Sequence, residues 1–278
     1  MSSSCENNLS CIIECAIVDG DYTATLVGLS SGTTYYYKAF ATNSAGTAYG
    51  AVMSFETGQQ DGPEISYFTD SRDGNTYAMV TIENQTWMAE NLRYADGIDV
   101  GLSSSTTVAR RFYPDNVSSN VSIYGYLYNW PAAMNGENSS AENPSGVQGI
   151  CPSGWHLPSN SEWQQLCDAL GGNNLDVHYN NPGSQLAGHA ELWDDGFLDR
   201  AENFGVTGFN ALPAGGYSPS DGGYCFGFDG CAYFWTSTEL DESANHVRVW
   251  GMNCGSTSFG NNYYTKNWGY SVRCVLNE

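Results

Sequence analysis

One segment of this chain has the signature of an amphipathic helix, and the segments around it indicate strands and turns. In residues 159–170, Ser159 and Glu162 form a capping box, in which each side chain satisfies an otherwise unpaired amide. The apolar side chains that follow recur with helical spacing, namely Trp163, Leu166, Cys167 and Leu170. The sequence therefore predicts one amphipathic helix among mostly short strands.

Strand and turn signals fill the chain before this helix. Asp73 and Gly74 form a hairpin-type turn, and residues 76–82 and 85–92 predict two strands. Residues 96–120 are polar and predict a long loop. Tyr124, Tyr126 and Tyr128 alternate with Gly125 and Leu127, which predicts a further strand with an aromatic face.

The first sixty residues form a separate segment, which a linker at 59–63 joins to the rest. An alternating run at 23–27, a turn at 28–32 and strands at 33–43 and 49–55 resemble the second half of a fibronectin type III domain. We therefore predict a partial β-module at 1–60 and a second domain at 61–278. A half-sandwich leaves an unpaired edge, so we expect this segment to pack on the next domain, to pair with another chain or to be a truncated module. The residues that match the tyrosine corner and the last hairpin are Leu29, Gly32, Thr33, Tyr35, Asn43, Gly46, Tyr49, Gly50 and Phe55.

The charge balance restricts the partners of the chain. Nine basic residues stand against thirty acidic ones, which gives a net charge of −21. Binding to nucleic acid requires clustered Lys and Arg, so we expect no nucleic-acid partner. No apolar run is long enough to span a bilayer.

Ordered motifs in the second domain resemble one known family. They are DGNTY (73–77), QTWMAENL (85–92), YGYLYNW (124–130), CPSGWHLP (151–158), EW (162–163), FNALPAGG (209–216), FWTSTE (234–239) and SVRCV (271–275). Together they resemble the Fibrobacter succinogenes major paralogous domain over residues 70–276. That family is common in surface proteins of Bacteroidetes and Fibrobacteres. Glu83 departs from the pattern, because the family usually turns on glycine there.

The resemblance implies an α+β, C-type-lectin-like domain at 61–278. It also implies a distant relation to formylglycine-generating enzymes and to phage receptor-binding proteins. The positions of Cys151 and Cys274 fit a long-range disulfide of that fold, and we interpret Cys225 and Cys231 as a second, short one. Disulfides require an oxidising environment, so we expect an extracellular or cell-surface location, although no secretion signal is visible. The pairing of the remaining cysteines stays open: Cys5, Cys11, Cys15, Cys167 and Cys254.

An acidic cluster is a candidate calcium site. Asp194, Asp195 and Asp199 lie close together around Trp193 and Gly196. Calcium takes six to eight oxygen ligands from carboxylates and carbonyls. The alternative is a solvated acidic turn.

The stretch before the last strand is the candidate binding face. Residues 245–268 combine Tyr, Trp, Asn, Ser and Gly, the residue types that dominate adaptable binding surfaces. The alternative is an ordinary exposed loop. The residues assigned to a protein or glycan ligand are Arg248, Trp250, Asn261, Asn262, Tyr263, Tyr264 and Trp268.

Three functions remain open from the sequence. The first is a non-enzymatic, adhesin-like binding protein on a cell surface. The second is a subunit of an extracellular filament or phage particle that assembles through the N-terminal β-segment. The third is an enzyme related to the formylglycine generators, for which a solvent-open pair of Cys225 and Cys231 would be the mark.

Overall fold

A computed structural model describes residues 16–18, 21–23, 33–57, 62–101, 103–175, 178–220, 223–241 and 245–277. The chain divides into two compact units, Met1–Asp61 and Gly62–Glu278. Of the predicted features, the corner residues Leu29 and Gly32 and the cysteines Cys5, Cys11 and Cys15 lie outside the described residues.

The first unit consists of short antiparallel pairs. A turn at Ser44 and Ala45 joins two of the strands, as predicted, but the run predicted as one strand at 33–43 is divided at Lys38 and Ala39. The pairs are β1 (Ala16–Val18) with β2 (Asp21–Thr23), β3 (Thr34–Tyr37) with β6 (Met53–Glu56), and β4 (Phe40–Asn43) with β5 (Gly46–Tyr49).

The second unit contains two five-stranded antiparallel sheets and several small pairs. Its strands are β7 (Ile65–Thr69), β8 (Thr76–Ile82), β9 (Gln85–Met88), β10 (Arg111–Phe112), β11 (Leu127–Tyr128), β12 (Trp155–His156), β13 (Asn173–Leu175), β14 (His178–Asn180), β15 (Gly216–Ser218), β16 (Tyr224–Phe226), β17 (Cys231–Asp241), β18 (His246–Asn253), β19 (Phe259–Thr265) and β20 (Val275–Leu276). One sheet has the order β12-β20-β9-β8-β7 and the other β13-β14-β19-β18-β17.

Helices are few and short in the second unit. They are α1 (Val121–Tyr124), α2 (Trp130–Met134), α3 (Asn160–Ala169) and α4 (Pro182–Leu186), with 3₁₀ turns at Pro114–Asn116, Ser118–Asn120 and Ala190–Leu192. None of the helices in the described part of the chain is long and apolar enough to cross a membrane.

The predicted α+β, C-type-lectin-like fold class is wrong. Strands make up 35% of the structure and helices 15%, and the strands form several small antiparallel sheets. The physical reason is that, among the described residues, only α3 continues as an α-helix over ten residues. The helices α1 and α2 end after four and five residues at positions with positive φ. Gly125, for example, ends α1 after four residues with φ +71°.

The predicted amphipathic helix is confirmed as α3. Ser159 caps it, and Glu162 completes the capping box by accepting a bond from the Ser159 amide. The apolar stripe of α3 packs into an aromatic core formed by Trp87, Trp163, Phe209, Phe234, Trp250 and Phe259. The sequence therefore predicted both the helix and its buried side.

The hairpin of β8 and β9 confirms the two strands predicted after Gly74, although the second ends at Met88. Glu83 turns this hairpin in a left-handed conformation, φ 53°. This conformation favours glycine, which is the residue expected there from the family pattern. The strand predicted over Tyr124, Tyr126 and Tyr128 is reduced to Leu127–Tyr128, because Tyr124 belongs to α1.

The disulfide between Cys151 and Cys274 is confirmed. Both cysteines are buried in a second core cluster that also holds Trp155, Trp235 and Tyr270. The bond joins the segment before β12 to the segment before β20, across a sequence separation of 123 residues. It therefore closes most of the second unit into one covalent loop.

A buried ion pair fixes α3 to β12. His156 Nε2 lies 2.5 Å from Glu162 Oε1, and both side chains are at most 4% exposed. Glu162 Oε2 also accepts bonds from the amides of Ser145 and Ser159. His156 Nδ1 lies 2.7 Å from Oδ1 of Asn277. Two oxygen acceptors, one at each ring nitrogen, favour the doubly protonated imidazolium.

Stability is expected to fall as the pH rises through the pKa of His156. Burial opposes the charge, but the Glu162 carboxylate outweighs it and raises the pKa above the ordinary value of 6.5. Protonated His156 stabilises the fold fully below pH 6.5, the ordinary pKa of histidine in the unfolded chain. This stabilisation is lost as the pH rises through the higher pKa of the folded protein, where His156 releases its proton. One such group changes the free energy of unfolding by at most about 1.4 kcal/mol per pH unit. The measurement is urea unfolding from pH 5 to 9, where His156→Gln should flatten the decline.

The control for this experiment is His189→Gln. His189 pairs with Glu191 at 3.1 Å, but both side chains are more than half exposed. Exposed pairs contribute little to stability, so this variant should keep the wild-type pH profile. A wild-type profile in His156→Gln would contradict the assignment.

Candidate functional site

Three long strands carry the predicted binding face. β18 lies between β17 and β19, and we call these three strands the ribbon. In its register Arg248 lies opposite Tyr263, and Trp250 lies opposite Asn261. Side chains alternate between the two sides of a strand, so neighbours in sequence point in opposite directions.

Trp250 is not part of an exposed face, which corrects the prediction for this residue. Its side chain is 0% exposed and packs against Trp163 and Phe259 in the aromatic core. Its indole nitrogen donates to Asn160 Oδ1 at the start of α3, at 3.0 Å. The alternation of β18 suggested one exposed side, but α3 covers that side at Trp250 and leaves it accessible farther along, at Tyr263.

The remaining predicted residues are divided between the two sides of the ribbon. The polar side carries Arg248, Asn261 and Tyr263. Asn261 is 6% exposed and accepts a bond from Arg248 Nη1 at 2.9 Å, while Tyr263 is 56% exposed and packs edge-on against His246. Tyr263 is therefore the main accessible contact on this side.

The other side carries Tyr264 and Trp268 in a group of four aromatic rings, together with exposed Asn262. Ring centroids lie 4.9 Å apart for Tyr264 and Trp268, and 5.4 Å for Trp268 and Phe226. The separation is 5.7 Å for Phe226 and Tyr233, and 6.3 Å for Tyr233 and Tyr264. All four side chains are partly exposed. We call these four residues the aromatic platform.

Burial keeps the platform uncharged. It raises the pKa of Tyr233, and the neighbouring thiol of Cys231 adds to the effect. Burial also raises the pKa of Tyr264. Both phenols therefore stay protonated at neutral pH.

Phe226 and Tyr233 were missed in the sequence. They lie far from the 245–268 stretch along the chain, and only the pairing of β15 with β16 and of β17 with β18 brings them to it. The nearest available signal was the aromatic run 224–235 beside Cys225 and Cys231.

The predicted disulfide between Cys225 and Cys231 is wrong. Both are free cysteines. Cys225 lies in β16, and its thiol donates a hydrogen bond to the carbonyl of Tyr113 at 3.4 Å. Cys231 is the first residue of β17, and its thiol is hydrogen-bonded to the hydroxyl of Tyr233. The two strands pair with different neighbours, so the thiols point to different partners. Burial raises the pKa of both thiols.

The predicted calcium ligands do not form a cluster. Asp199 accepts a bond from the amide of Gly196, and Asp195 lies 3.6 Å from Arg200 with its side chain 91% exposed. Within the described ranges, no group of three or more His, Cys, Asp or Glu side chains is arranged to hold a metal ion.

Asp194 instead lines a shallow cavity of about 440 Å³ together with Asp229. Burial and the charge of Asp194 raise the pKa of Asp229. The hydroxyl of Tyr124 lies 3.5 Å from Asp229 Oδ1. The other residues that line the cavity are Asn120, Ile123, Glu191, Leu192, Trp193 and Phe228.

The fold and the ribbon define a disulfide-closed module of small antiparallel sheets with a partly exposed aromatic surface. Residues 80–276 match the model of the Fibrobacter succinogenes major domain, and the chain belongs to this family. The resemblance drawn from the motifs is thereby confirmed. No curated protein and no solved structure matches the chain.

Proposed function

We propose that this chain is a non-enzymatic binding module of an extracellular or cell-surface protein, and that the ribbon carries its ligand contacts. The observation that carries the proposal is the combination of exposed Tyr263 on the ribbon with the aromatic platform, to which the ribbon contributes Tyr233 and Tyr264. Aromatic side chains supply contact area at little rotamer cost, and they dominate binding energies in protein interfaces.

Two further observations support the proposal. The Cys151–Cys274 disulfide suits an oxidising compartment. The enzyme alternative depends on reactive thiols at Cys225 and Cys231, but burial raises the pKa of both and so keeps them in the less nucleophilic thiol form.

A second candidate function is self-assembly through the first unit. Large apolar side chains are exposed there: Tyr36 (74%), Val52 (65%), Tyr49 (62%), Met53 (54%) and Tyr37 (51%). Exposed apolar groups of this kind mark interaction surfaces. A subunit that assembles through them would elute as polymers from a sizing column, whereas a binding module would elute as one small species.

The proposal predicts that a double substitution in the ribbon abolishes binding. Labelled protein is applied to an array of purified extracellular proteins and glycans. Tyr263→Ala with Trp268→Ala removes one contact from each side of the ribbon and should weaken every specific signal about tenfold or more. Bound ligands should be recovered with unchanged mass, as expected for a module without catalytic activity.

Tyr67→Ala is the matched control for this array. Tyr67 is 68% exposed but lies on β7, in the other large sheet. The Tyr67→Ala variant should bind every ligand on the array like the wild type. Full binding by the folded double variant would refute the assignment to the ribbon, and ligand turnover would refute the non-enzymatic part.

A further inference from the structure

The aromatic platform has the geometry of a rigid stacking surface. Its four rings contact one another in a closed circuit, at centroid distances from 4.9 to 6.3 Å. Tyr224 extends this surface, since its ring is 47% exposed and lies 6.5 Å from Phe226. The surface thus offers ring faces and ring edges next to each other, since Trp268 and Phe226 meet at 83° and Tyr233 and Tyr264 at 74°.

Two glycines hold the rings in place from below. A Cβ atom on Gly251 would lie 2.7 Å from the ring of Tyr233, and one on Gly216 would lie 2.7 Å from the rings of Phe226 and Tyr270. Neither position has room for a side chain, so the rings rest directly on the backbone. A surface that is already ordered loses little conformational entropy on binding.

The platform is uncharged within a chain of net charge −21. Its phenols stay protonated because burial raises the pKa of Tyr233 and Tyr264. The charges of Lys266 and Glu239 neutralise each other, since Lys266 Nζ lies 2.7 Å from Glu239 Oε1. Among the polar residues nearby in sequence, exposed Asn262 lies on the same side of β19 as Tyr264, and Asn267 directly precedes Trp268. This surface favours a neutral ligand, and the net charge repels an anionic one.

We propose that the aromatic platform binds a neutral oligosaccharide. This inference rests on the proposed function and names its ligand class. A pyranose ring presents a face of C–H groups, which packs on the electron-rich face of an aromatic ring, and hydroxyls at its edge, which bond with amides. Several partly exposed rings next to each other offer contacts to more than one sugar unit of a chain. Nucleic acid would also stack, but its phosphates need cations that the platform lacks.

Trp268 provides a test in the unaltered protein. The other seven tryptophans are at most 6% exposed, whereas Trp268 is partly exposed. N-bromosuccinimide should therefore oxidise Trp268 first, as mapped by mass spectrometry. Cellohexaose, xylohexaose, chitohexaose or maltohexaose should protect it, and hexagalacturonate, which is anionic, should not.

Variants then locate the site by calorimetric titration with the protecting sugar. Tyr264→Ala should weaken binding about tenfold or more. Tyr67→Ala is the matched control, because this exposed tyrosine lies on β7 in the other large sheet, and it should bind like the wild type. Tyr224→Ala removes an exposed ring at the edge and should weaken binding by a smaller factor, even if Tyr264→Ala proves unstable.

Three results would overturn the inference: no protection by any neutral sugar, equal protection by hexagalacturonate, or wild-type binding in folded Tyr264→Ala. The proposed function fails separately. If the array shows a protein partner lost in the double variant while no sugar binds, the ribbon remains a binding surface and only the ligand class is wrong.

Discussion

Arg273→Met is expected to lower the free energy of unfolding by about 3–5 kcal/mol. Arg273 is 0% exposed, and burial lowers its pKa to about 9, although the charge of Glu90 opposes the shift. A cation in such a place persists only if other groups replace its hydration shell. Here backbone carbonyls and one amide oxygen do so, and methionine has no donor to offer them.

The guanidinium joins the segment that carries Arg273 to two others, residues 88–91 and 209–210. Nε donates to Asn91 Oδ1 at 2.7 Å, Nη1 donates to the carbonyls of Met88 and Phe209, and Nη2 donates to the carbonyl of Asn210 at 2.6 Å. It also lies 4.6 Å from the ring centroid of Phe209. Each acceptor left buried without a partner costs about 1–3 kcal/mol.

Urea unfolding of the variant against the wild type measures this effect. Arg200→Met is the control, because Arg200 is 68% exposed and its pairing with Asp195 at 3.6 Å should contribute little. Arg273→Lys keeps the charge but loses the planar guanidinium, so its free energy of unfolding should lie between those of Arg273→Met and Arg200→Met. A stability of Arg273→Met within 1 kcal/mol of the wild type would show that the buried network is dispensable.

Arg273 illustrates what the sequence could and could not predict about the fold. Its motif, SVRCV, was one of the ordered motifs that together indicated the family, and the local signals of α3 and of the β8–β9 hairpin predicted both elements correctly. The acceptors of Arg273 lie 63 to 185 residues away in the chain. No local pattern reveals such contacts. The fold class was wrong because it came from resemblance rather than from the residues.

The candidate site, too, could be predicted from the sequence only in part. The stretch 245–268 was located from its composition, but alternation alone could not tell which side of β18 the helix α3 covers, and so Trp250 was assigned to the wrong environment. Phe226 and Tyr233 reach the platform through strand pairing. Proximity in sequence was likewise misleading for Cys225 and Cys231, which are six residues apart but follow different strands.

Replacing both Cys151 and Cys274 with alanine is expected to lower the free energy of unfolding by about 2–5 kcal/mol. The bond closes a sequence separation of 123 residues. In the chain-entropy model a loop of this length corresponds to about 5 kcal/mol, because the cross-link restricts the unfolded chain. Both sulfurs are buried beside Trp155 and Trp235, so lost packing adds to the effect and alanine introduces no buried hydroxyl.

Cys225→Ser is the control for the disulfide variant, since Cys225 is free and serine keeps a donor for the carbonyl of Tyr113. The midpoint of urea unfolding of Cys225→Ser should be close to that of the wild type. Peptide mapping without reductant should recover Cys151 linked to Cys274, and Cys225 and Cys231 as alkylated thiols. A Cys225–Cys231 linkage would reverse the correction made from the structure. Equal stability of the double alanine variant would mean that the cores around Trp163 and Tyr270 hold the second unit together without the covalent loop.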